Sequence, residues 1–475
     1  MTFTPPNDDT AAASAPLTAR AASLAVAKGF GFALLIILAI SLAGSVVLSS
    51  DRLQYVIREG SASGALSADG SNEHWVDCVE LSMELTRVPD PLLNVIETDW
   101  ARPTHDPCDE LRARAAGPPY PYPMNPAYPY ENYAFGTRHL QAIALSFLTF
   151  GQAENVYAFI TYVSLIALFV AAWFTSRRLA LTVVLPIVLC LLFAFSEHRW
   201  ARSVGWGPPY SLGFAGLALM VGMPRTFASR AARLAFFTFV GVMVAYFDLL
   251  QGSLPVVLSL SIVINHFFFV SRRRFESWRA YWIAAAVEAC AVFACFLGGF
   301  IALTALRMVF VLRYVPGAWQ SYIGELLHRT STTVRGVPGV DVVDYRDVLV
   351  RLWAQRTFLT GNELVSTLVL IASGIAWIVS AAMLAAVWRR LEHARFVLVD
   401  VLVLACTAGG FFVWFYVFQN QTYEHAWLMV RLLTQPAAYG FCAALVVLYA
   451  YARSARRDAV ATRAERAAPA TAPPQ

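Results

Sequence analysis

Long apolar runs of about 20 residues recur along this 475-residue chain, and they limit its possible folds more than any other feature of the sequence. An α-helix of that length spans the hydrocarbon core of a bilayer, which is roughly 30 Å thick. Hydrophobic residues make up 58% of the chain and charged residues 14%, whereas a soluble domain carries about 25% charged residues. So little charge cannot cover the surface of two or three soluble domains, and the sequence therefore predicts a polytopic membrane protein.

The apolar runs predict an all-α transmembrane bundle of about ten spans. They lie near residues 30–48, 155–175, 179–195, 210–223, 234–250, 254–270, 281–306, 364–388, 396–418 and 432–452. The run at 210–223 is short and follows Pro208 and Pro209, which favours a tilted or re-entrant helix. We expect the first run to be a signal anchor rather than a cleaved signal peptide, because it has full bilayer length and follows a polar segment.

The same pattern divides the chain into a bundle and two tails. We predict that residues 1–27 and the basic residues 453–475 are disordered and that residues 28–452 form the bundle with its loops. Two long outer loops are predicted, at about 51–140 and 313–363. The first has about 90 residues, which is too long for a simple connector, so we expect it to have structure of its own.

Arginine placement predicts the orientation of the bundle. With both termini in the cytoplasm, the inner segments carry 19 basic and 6 acidic residues, as the positive-inside rule requires. We therefore expect a multi-pass protein of the bacterial cytoplasmic (inner) membrane. Arginines beside anionic membrane lipid account for the net charge of +5 without a nucleic-acid partner. The pattern leaves the oligomeric state open.

Cys78 and Cys108 both lie in the first outer loop. Two thiols in one loop of an oxidising compartment are candidates for a disulfide. Closing a loop of about 31 residues would stabilise the fold by about 3 kcal/mol through chain entropy. The five remaining cysteines fall in apolar runs and are expected to be small packing residues. No histidine or cysteine completes a compact set of metal ligands around the pair.

Two acids of the first outer loop stand where they could take part in chemistry. The loop carries 14 acidic residues and 7 arginines. Asp51 lies where the first span leaves the bilayer, and Asp77 precedes Cys78, which the predicted disulfide would hold in place. A fixed carboxylate at a membrane mouth is a candidate general base toward an acceptor hydroxyl, and equally a candidate ligand of a divalent cation. For most acids of the loop, simple solvation is expected.

Basic residues at the predicted outer face are candidate ligands of an anion. Arg138 and His139 stand where the chain re-enters the membrane, and Arg199 lies in a short outer loop. A guanidinium can bind a phosphate through paired hydrogen bonds, although an arginine at a membrane surface also commonly snorkels toward water.

Further candidates lie at the ends of later spans. Asp248 falls at the end of a span, where an ionisable group usually faces a cavity or a partner. His425 and Arg431 belong to the last outer loop. They are six positions apart and would lie on opposite faces of one helix, so a turn near Glu424 would be needed to bring both to the mouth of the bundle.

This layout resembles the polytopic glycosyltransferases of the GT-C class. The resemblance rests on acids beyond the first span, a structured first outer loop, surface-lying helices predicted at 318–327 and 347–353, and a late arginine and histidine at the outer face. It implies transfer of a sugar from a polyprenyl-phosphate donor in the membrane, with Asp51 or Asp77 as the base. On this resemblance the candidates for binding the donor phosphate are Arg138, Arg199 and Arg431, with His425 nearby.

The sequence leaves other functions open. A transporter or flippase for an envelope lipid or small solute would hold charged residues and broken helices at mid-membrane. Glu288 is the clearest charged residue inside a run, and we expect it to bond a neighbouring span. The other polar residues concentrate at the predicted outer face, which favours the transferase. A non-catalytic assembly or scaffold protein is the third alternative.

Overall fold

A computed structural model shows that the chain is almost entirely helical where it is described. The described residues are 18–66, 75–85, 99–100, 106–117, 128–129, 136–196, 201–203, 205, 207–247, 252–314, 317–333, 342–388 and 394–467. Their two strands, Asp99–Trp100 and Tyr128–Pro129, have two residues each and pair antiparallel. The predicted all-α bundle is therefore confirmed.

The first part of the chain forms one long helix followed by four short ones. In chain order these are α1 (Ala19–Val47), α2 (Ser50–Ala62), α3 (Trp75–Leu85), α4 (Pro107–Ala116) and α5 (Gly136–Phe147). Thr18 caps α1, because its hydroxyl accepts a hydrogen bond from the amide of Ala21. The helix thus begins inside the segment 1–27 that was expected to be a disordered tail. Helices α2 to α5 give the long first loop structure of its own.

The middle of the chain supplies most of the bundle. Its helices are α6 (Phe150–Thr175), α7 (Arg177–Leu179), α8 (Leu185–Ser196), α9 (Gly207–Gly222), α10 (Arg230–Phe247), α11 (Ser253–Asn265) and α12 (Trp278–Tyr314). A π-helical turn, Ala180–Val184, joins α7 to α8, and a second, His266–Val270, continues α11. Such turns are rare, and many of them lie at functional positions.

The last part of the chain alternates short and long helices. They are α13 (Ala318–Arg329), α14 (Tyr345–Ala354), α15 (Glu363–Val387), α16 (Ala394–Val417), α17 (Gln419–Glu424), α18 (Ala426–Met429) and α19 (Thr434–Ala467). Single 3₁₀ turns, Arg356–Leu359 and Val430–Leu433, precede α15 and α19. The helices predicted in the second outer loop correspond to α13 and α14. Helix α19 continues to Ala467, through most of the tail predicted at 453–475.

Eight helical segments of the described chain are long and apolar enough to cross a membrane. They are α1, α6, α10, α11 with its π turn, α12, α15, α16 and the run from α18 through α19. The two other predicted spans are also helical. Helix α9 has 16 residues and rises only about 24 Å at 1.5 Å per residue, and the helical run from α7 through its π turn to α8 covers residues 177–196. The chain is therefore polytopic, as expected.

The spans alternate in direction, so the connecting segments gather at two ends of the bundle. Helices α10 and α12 run in the same direction, because Arg230 contacts Glu288 near their first residues and Gly241 meets Phe296 further along. We call the end that contains α2 to α5, α13, α14 and α17 the disulfide end. The opposite end is the arginine end, where Arg178 stacks on Tyr449, Arg395 lies over Trp278, and Arg230 and Arg273 both reach Glu288.

Burial distinguishes a central helix from peripheral ones. Helix α11 with its π turn is almost wholly buried, whereas only 22% of the apolar stretch of each of α1, α12 and α15 is buried. The exposed side chains along one face of α15 are apolar: Leu364, Leu368, Ile371, Ile375 and Ile378. An apolar face of this length suits contact with lipid tails.

Glycines allow α10 to pack closely between two neighbours. A Cβ atom at Gly241 would lie 2.0 Å from the carbonyl oxygen of Phe296 in α12. A Cβ atom at Gly29 in α1 would lie 2.1 Å from the carbonyl oxygen of Ala235 in α10. Small residues permit this approach of one helix backbone to another. The close packing fixes the last turn of α10, including Tyr246, at the disulfide end.

Candidate functional site

Helix α3 presents three carboxylates on one buried face. Asp77, Glu80 and Glu84 are three and four positions apart, so they lie on the same side of the helix, and each is at most 3% exposed. A disulfide between Cys78 and Cys108, with the Cα atoms 5.1 Å apart, ties α3 to α4. The predicted disulfide is therefore confirmed, and it holds the helix that carries the carboxylates.

Asp77 is held by a loop from another part of the chain. Its Oδ1 accepts a hydrogen bond of 2.8 Å from the hydroxyl of Ser203 and one of 3.0 Å from the amide of Gly205. Both donors lie just before α9, so this loop folds against the first turn of α3. Two donors directed at one oxygen suit a carboxylate, which accepts hydrogen bonds without donating.

Glu80 is a buried carboxyl that keeps its proton. The hydroxyl of Thr137 in α5 donates to its Oε1, and its Oε2 has no hydrogen-bond partner among the described residues. Burial raises the pKa of Glu80 to about 8, an effect that the hydrogen bond from Thr137 opposes and the charge of Asp77 increases. At neutral pH the site therefore combines a protonated carboxyl, Glu80, with Asp77, whose Oδ1 accepts two hydrogen bonds.

Helix α5 supplies the cation of this group. Arg138 Nε lies 3.5 Å from Glu84 Oε1, and both side chains are 1% exposed. Arg138 Nη2 is 3.2 Å from Nε2 of His139, whose Nδ1 lies 3.0 Å from the hydroxyl of Tyr246. That hydroxyl is 2.6 Å from the hydroxyl of Ser41. A continuous series of polar contacts thus joins α3, α5, α10 and α1.

We call Asp77, Glu80, Glu84, Arg138 and His139 the α3–α5 cluster. Glycines make room for it where α5 enters the bundle. A Cβ atom at Gly136 would lie 2.4 Å from the ring of Tyr246, and one at Gly44 in α1 would lie 2.7 Å from Cα and Cβ of His139. The first turn of α5 is therefore pressed against α1 and α10, which buries its polar side chains.

Asp51 lies in a different environment from Asp77. It is exposed in the first turn of α2, where a carboxylate complements the positive end of the helix dipole. The side chain of the adjacent Arg52 instead points to the end of α5. It donates hydrogen bonds to the carbonyls of Leu145 and Leu148, over 3.0 and 2.8 Å. The structure thus brings three predicted site residues together, Asp77, Arg138 and His139, and leaves Asp51 at the surface.

His425 and Arg431 lie at a second polar region of the disulfide end. The chain turns after Glu424, so His425 and Arg431 belong to different short helical turns. Arg431 is 1% exposed and its Nε donates to the carbonyl of Phe358, 3.2 Å away. Burial, together with the charge of Arg329, lowers the pKa of His425 to about 4. His425 is therefore neutral at physiological pH.

Two polar groups lie among the spans toward the arginine end. His266 Nε2, at the start of its π turn, is 2.8 Å from Asp400 Oδ1 and 3.0 Å from the hydroxyl of Tyr281. Tyr281 donates to the same oxygen of Asp400.

Glu288 forms the second of these groups. It lies 3.2 Å from Arg230, 3.4 Å from Arg233 and 3.6 Å from Arg273. The expected bond from Glu288 to a neighbouring span is confirmed, since Arg230 and Arg233 belong to α10.

Some predicted site residues cannot be placed, and some polar residues of the clusters were not predicted. Arg199 and Asp248 lie outside the described residues. Glu80 and Glu84 share the helical spacing of Asp77, which was a usable signal in the sequence, but such a face is usually solvated. Single polar residues within apolar runs, such as His266 and Asp400, gave no spacing signal at all.

No metal centre or relative identifies the site. Within the described ranges, no group of three or more His, Cys, Asp or Glu side chains is arranged to hold a metal ion. The chain matches no family model, no curated protein and no solved structure. The geometry of the α3–α5 cluster is therefore the main indication of function.

Proposed function

We propose that the protein is a membrane-embedded glycosyltransferase that moves a sugar from a polyprenyl-phosphate donor to an envelope glycan or lipid at the disulfide end of the bundle. The observation that supports this most directly is the α3–α5 cluster. It combines a carboxylate fixed by two donors, a carboxyl that keeps its proton and a buried guanidinium. The partners of this reaction are the membrane lipid and the lipid-linked donor.

Asp77 is the proposed general base. The bond between the anomeric carbon of the sugar and the phosphate oxygen breaks, and a bond between that carbon and the acceptor oxygen forms. The proton of the acceptor hydroxyl passes to Asp77, and the polyprenyl phosphate leaves with the electrons of the broken bond. Ser203 and Gly205 orient the carboxylate in the resting site.

Arg138 is the proposed ligand of the departing phosphate. A guanidinium placed where negative charge develops stabilises the transition state. Glu84 lies beside Arg138 in the resting site, so donor binding would shift the guanidinium from the carboxylate toward the phosphate. The proton on Glu80 assists, because it keeps one more negative charge out of a region that must accept an anion.

The proposed orientation places the disulfide end outside the cytoplasm. Disulfides form in oxidising compartments, and the Cys78–Cys108 bond lies at this end. The arginine end would face the cytoplasm and its anionic lipid. In that arrangement the cluster lies on the membrane side where lipid-linked sugars are consumed.

The test compares Asp77→Asn with Asp51→Asn in purified protein. Mass spectrometry of the lipid extract follows loss of a polyprenyl-phosphate sugar, and analysis of envelope glycans from cells with and without the protein identifies the acceptor. We expect Asp77→Asn to abolish transfer and Asp51→Asn to retain it. Loss of transfer only in Asp51→Asn would move the base to that residue. Full activity in both variants would exclude either aspartate as the base.

A second candidate, a transporter or flippase, is favoured by the buried His266, Tyr281 and Asp400. Ionisable groups paired inside a membrane bundle are typical of proton pathways. A pH-sensitive dye inside liposomes that contain the protein would report proton entry. Proton entry that is lost in Asp400→Asn, together with absence of sugar transfer, would replace the transferase by a proton-coupled transporter.

A further inference from the structure

Three arginines share the carboxylate of Glu288 at the arginine end. Its Oε1 lies 3.2 Å from Nε of Arg230 and 3.6 Å from Nη2 of Arg273, and its Oε2 lies 3.4 Å from Nη2 of Arg233. We call these four residues the Glu288 cluster. Because Arg230 and Arg273 approach the same oxygen atom, their guanidinium groups converge on one point.

The Glu288 cluster carries more positive than negative charge. Three guanidinium groups face one carboxylate, and no second acidic side chain of the described chain forms an ion pair with any of them. Two positive charges therefore stay uncompensated by the described residues. Charges that are partly removed from water are costly unless an anion lies close to them, so the cluster is suited to bind one.

The arginines of the cluster differ in exposure. The side chain of Arg233 is 2% exposed, and its Nη1 donates to two backbone carbonyls of the segment before α10, each 3.0 Å away. The side chains of Arg230 and Arg273 are 33% and 43% exposed. Each guanidinium has five N–H donors, and one carboxylate cannot accept from all of them. Donors of Arg230 and Arg273 can therefore reach an anion at the surface.

Aromatic residues at the arginine end indicate a membrane interface. The guanidinium of Arg178 lies 4.6 Å from the ring centre of Tyr449. Those of Arg279 and Arg395 each lie 5.9 Å from the ring centre of Trp278. Tyrosine and tryptophan are enriched at the level of the lipid headgroups, so the phosphates of the bilayer are expected at this end.

The surface of α12 next to the cluster is apolar. Ile283 and Val287 are 61% and 48% exposed, and Val287 directly precedes Glu288 in the helix. Exposed apolar side chains on a helix of this length suit contact with lipid tails. An anion bound to the cluster would thus have lipid tails beside it, which favours a lipid over a soluble molecule.

We propose that the Glu288 cluster binds the phosphate of an anionic phospholipid. The phosphate oxygens accept hydrogen bonds from the guanidinium groups of Arg230 and Arg273, and the acyl chains lie along the exposed apolar face of α12. The buried Glu288, itself held by Arg233, keeps the two groups together. The proposal goes beyond the transferase reaction, because the cluster lies at the opposite end of the bundle and requires no role for Asp77.

Native mass spectrometry of the purified protein in a non-ionic detergent tests this proposal. The probes are phosphatidylglycerol and phosphatidic acid, which are anionic, with phosphatidylethanolamine as the control whose headgroup has no net charge. Inorganic phosphate is the probe for a soluble source. We expect the anionic lipids to bind at least about tenfold more tightly than phosphatidylethanolamine. Equal retention of all three lipids, or retention of inorganic phosphate alone, would overturn the proposal.

Arginines of one turn separate a defined site from general attraction to anionic lipid. Arg273→Gln removes a guanidinium of the cluster, whereas Arg272→Gln and Arg274→Gln remove exposed neighbours that form no ion pair within the described chain. All three variants lose the same charge from the same turn. We expect Arg273→Gln to weaken phosphatidylglycerol binding by about tenfold and the two controls to weaken it clearly less. Equal weakening in all three would show diffuse attraction and would overturn the proposal.

Melting temperatures separate a binding role of Arg273 from a structural one. Added phosphatidylglycerol should raise the melting temperature of the wild type, because a ligand of the folded state stabilises it. The rise should be smaller in Arg273→Gln than in Arg274→Gln. Should the glutamine variant fail to fold, Arg273→Lys keeps the charge but lacks the planar fork of donors, and it should also show a smaller rise. Equal rises would show that Arg273 is structural and would overturn the proposal.

A further variant separates lipid binding from transfer. Asp77→Asn should bind phosphatidylglycerol as tightly as the wild type does, because Asp77 lies at the other end of the bundle. Lipid binding that persists while transfer is absent in the wild-type protein would contradict the transferase and leave the Glu288 cluster as a lipid site.

Discussion

The guanidinium of Arg138 and the carboxylate of Glu84 lie 3.5 Å apart, with each side chain only 1% exposed. The pair connects α5, where the chain re-enters the bundle, to α3, which carries Asp77. Because each charge is buried, each depends on the other for its stability in the folded protein. The contact therefore couples the position of the carboxylate helix to the position of the bundle.

Removal of one member of this pair should be costly. Arg138→Met leaves the buried carboxylate of Glu84 without this cation, and we expect the free energy of unfolding to fall by about 3–5 kcal/mol. Urea unfolding in detergent micelles measures the change. The double variant Arg138→Met/Glu84→Gln should recover part of the loss, since no buried charge remains uncompensated. A double variant less stable than the single one would contradict this account.

The raised pKa of Glu80 predicts that stability falls as the pH rises. Its pKa is about 8 in the folded protein, chiefly through burial, and 4.5 in a solvated carboxyl. The folded state thus holds this proton more tightly than the unfolded state. The stabilising contribution is fully present below about pH 4.5 and is lost as the pH rises through about 8. Melting temperatures measured across this range should show the decline.

Glu80→Gln is the variant that tests this pH dependence. Glutamine has no proton to lose, so the decline between about pH 5 and 8 should become shallower. Glu276→Gln at an exposed position serves as the control and should keep the wild-type slope. Equal slopes in all three proteins would mean that another group controls the pH dependence.

The disulfide should stabilise the segment that carries α2 to α5, through its effect on the unfolded state. The double variant Cys78→Ala/Cys108→Ala should lose about 3 kcal/mol of unfolding free energy, because the open chain gains entropy. Added reductant should lower the stability of the wild type but not of this variant. Cys406→Ala removes an exposed free thiol and should change little. Equal stability of the double variant and the oxidised wild type would show that the disulfide does not contribute to the free energy of unfolding.

Two glycines of adjacent helices should respond in opposite ways to alanine. At Gly241 a new Cβ would meet the backbone of Phe296, so Gly241→Ala forces α10 from α12 and should cost about 1–3 kcal/mol. At Gly298 nothing lies within 4 Å, and alanine should be neutral or stabilising by up to about 1 kcal/mol. Thermal unfolding of the two variants under one condition compares them. Equal effects would argue against close backbone packing of α10 on α12.

Glu288 should contribute more to the stability of the fold than a single ion pair would, because three arginines share its carboxylate. Glu288→Gln removes the carboxylate shared by Arg230, Arg233 and Arg273. Arg233 is buried, so we expect a loss of about 3 kcal/mol, measured by denaturant unfolding. Glu276 is an exposed acid at the same end. If Glu288→Gln destabilises the protein no more than Glu276→Gln does, the contacts of Glu288 with the three arginines do not contribute to the free energy of unfolding.

The sequence predicted the bundle well because a bilayer leaves few choices to the backbone. In lipid every amide and carbonyl must be paired within the protein, so an apolar run of sufficient length becomes a helix. Helix ends were less predictable. The run at 281–306 belongs to a helix that extends from Trp278 to Tyr314, since hydropathy marks the lipid-facing stretch while hydrogen bonding continues beyond it.

Residues of the polar clusters were predicted only where a recognisable sequence feature lay beside them. Cys78 pointed to Asp77, and re-entry into the membrane pointed to Arg138. Glu80 was not predicted as a site residue, because acids at helical spacing in a loop normally face water. Only the contact of α3 with α5 buries them. Partners that meet through tertiary structure alone, such as His266 and Asp400, leave no trace in local sequence. The functional roles of Asp77 and Arg138 stay predictions.

The enclosure of α11 has a consequence for how the protein is made. Ser259 of α11 receives its hydrogen bond from Tyr439 of α19, and His266 meets Asp400 of α16. Both partners are synthesised after α11 has left the ribosome. The innermost helix and its π turn therefore gain these two buried hydrogen bonds only after α16 and α19 have been made, so a chain that stopped after α15 would leave Ser259 and His266 without them.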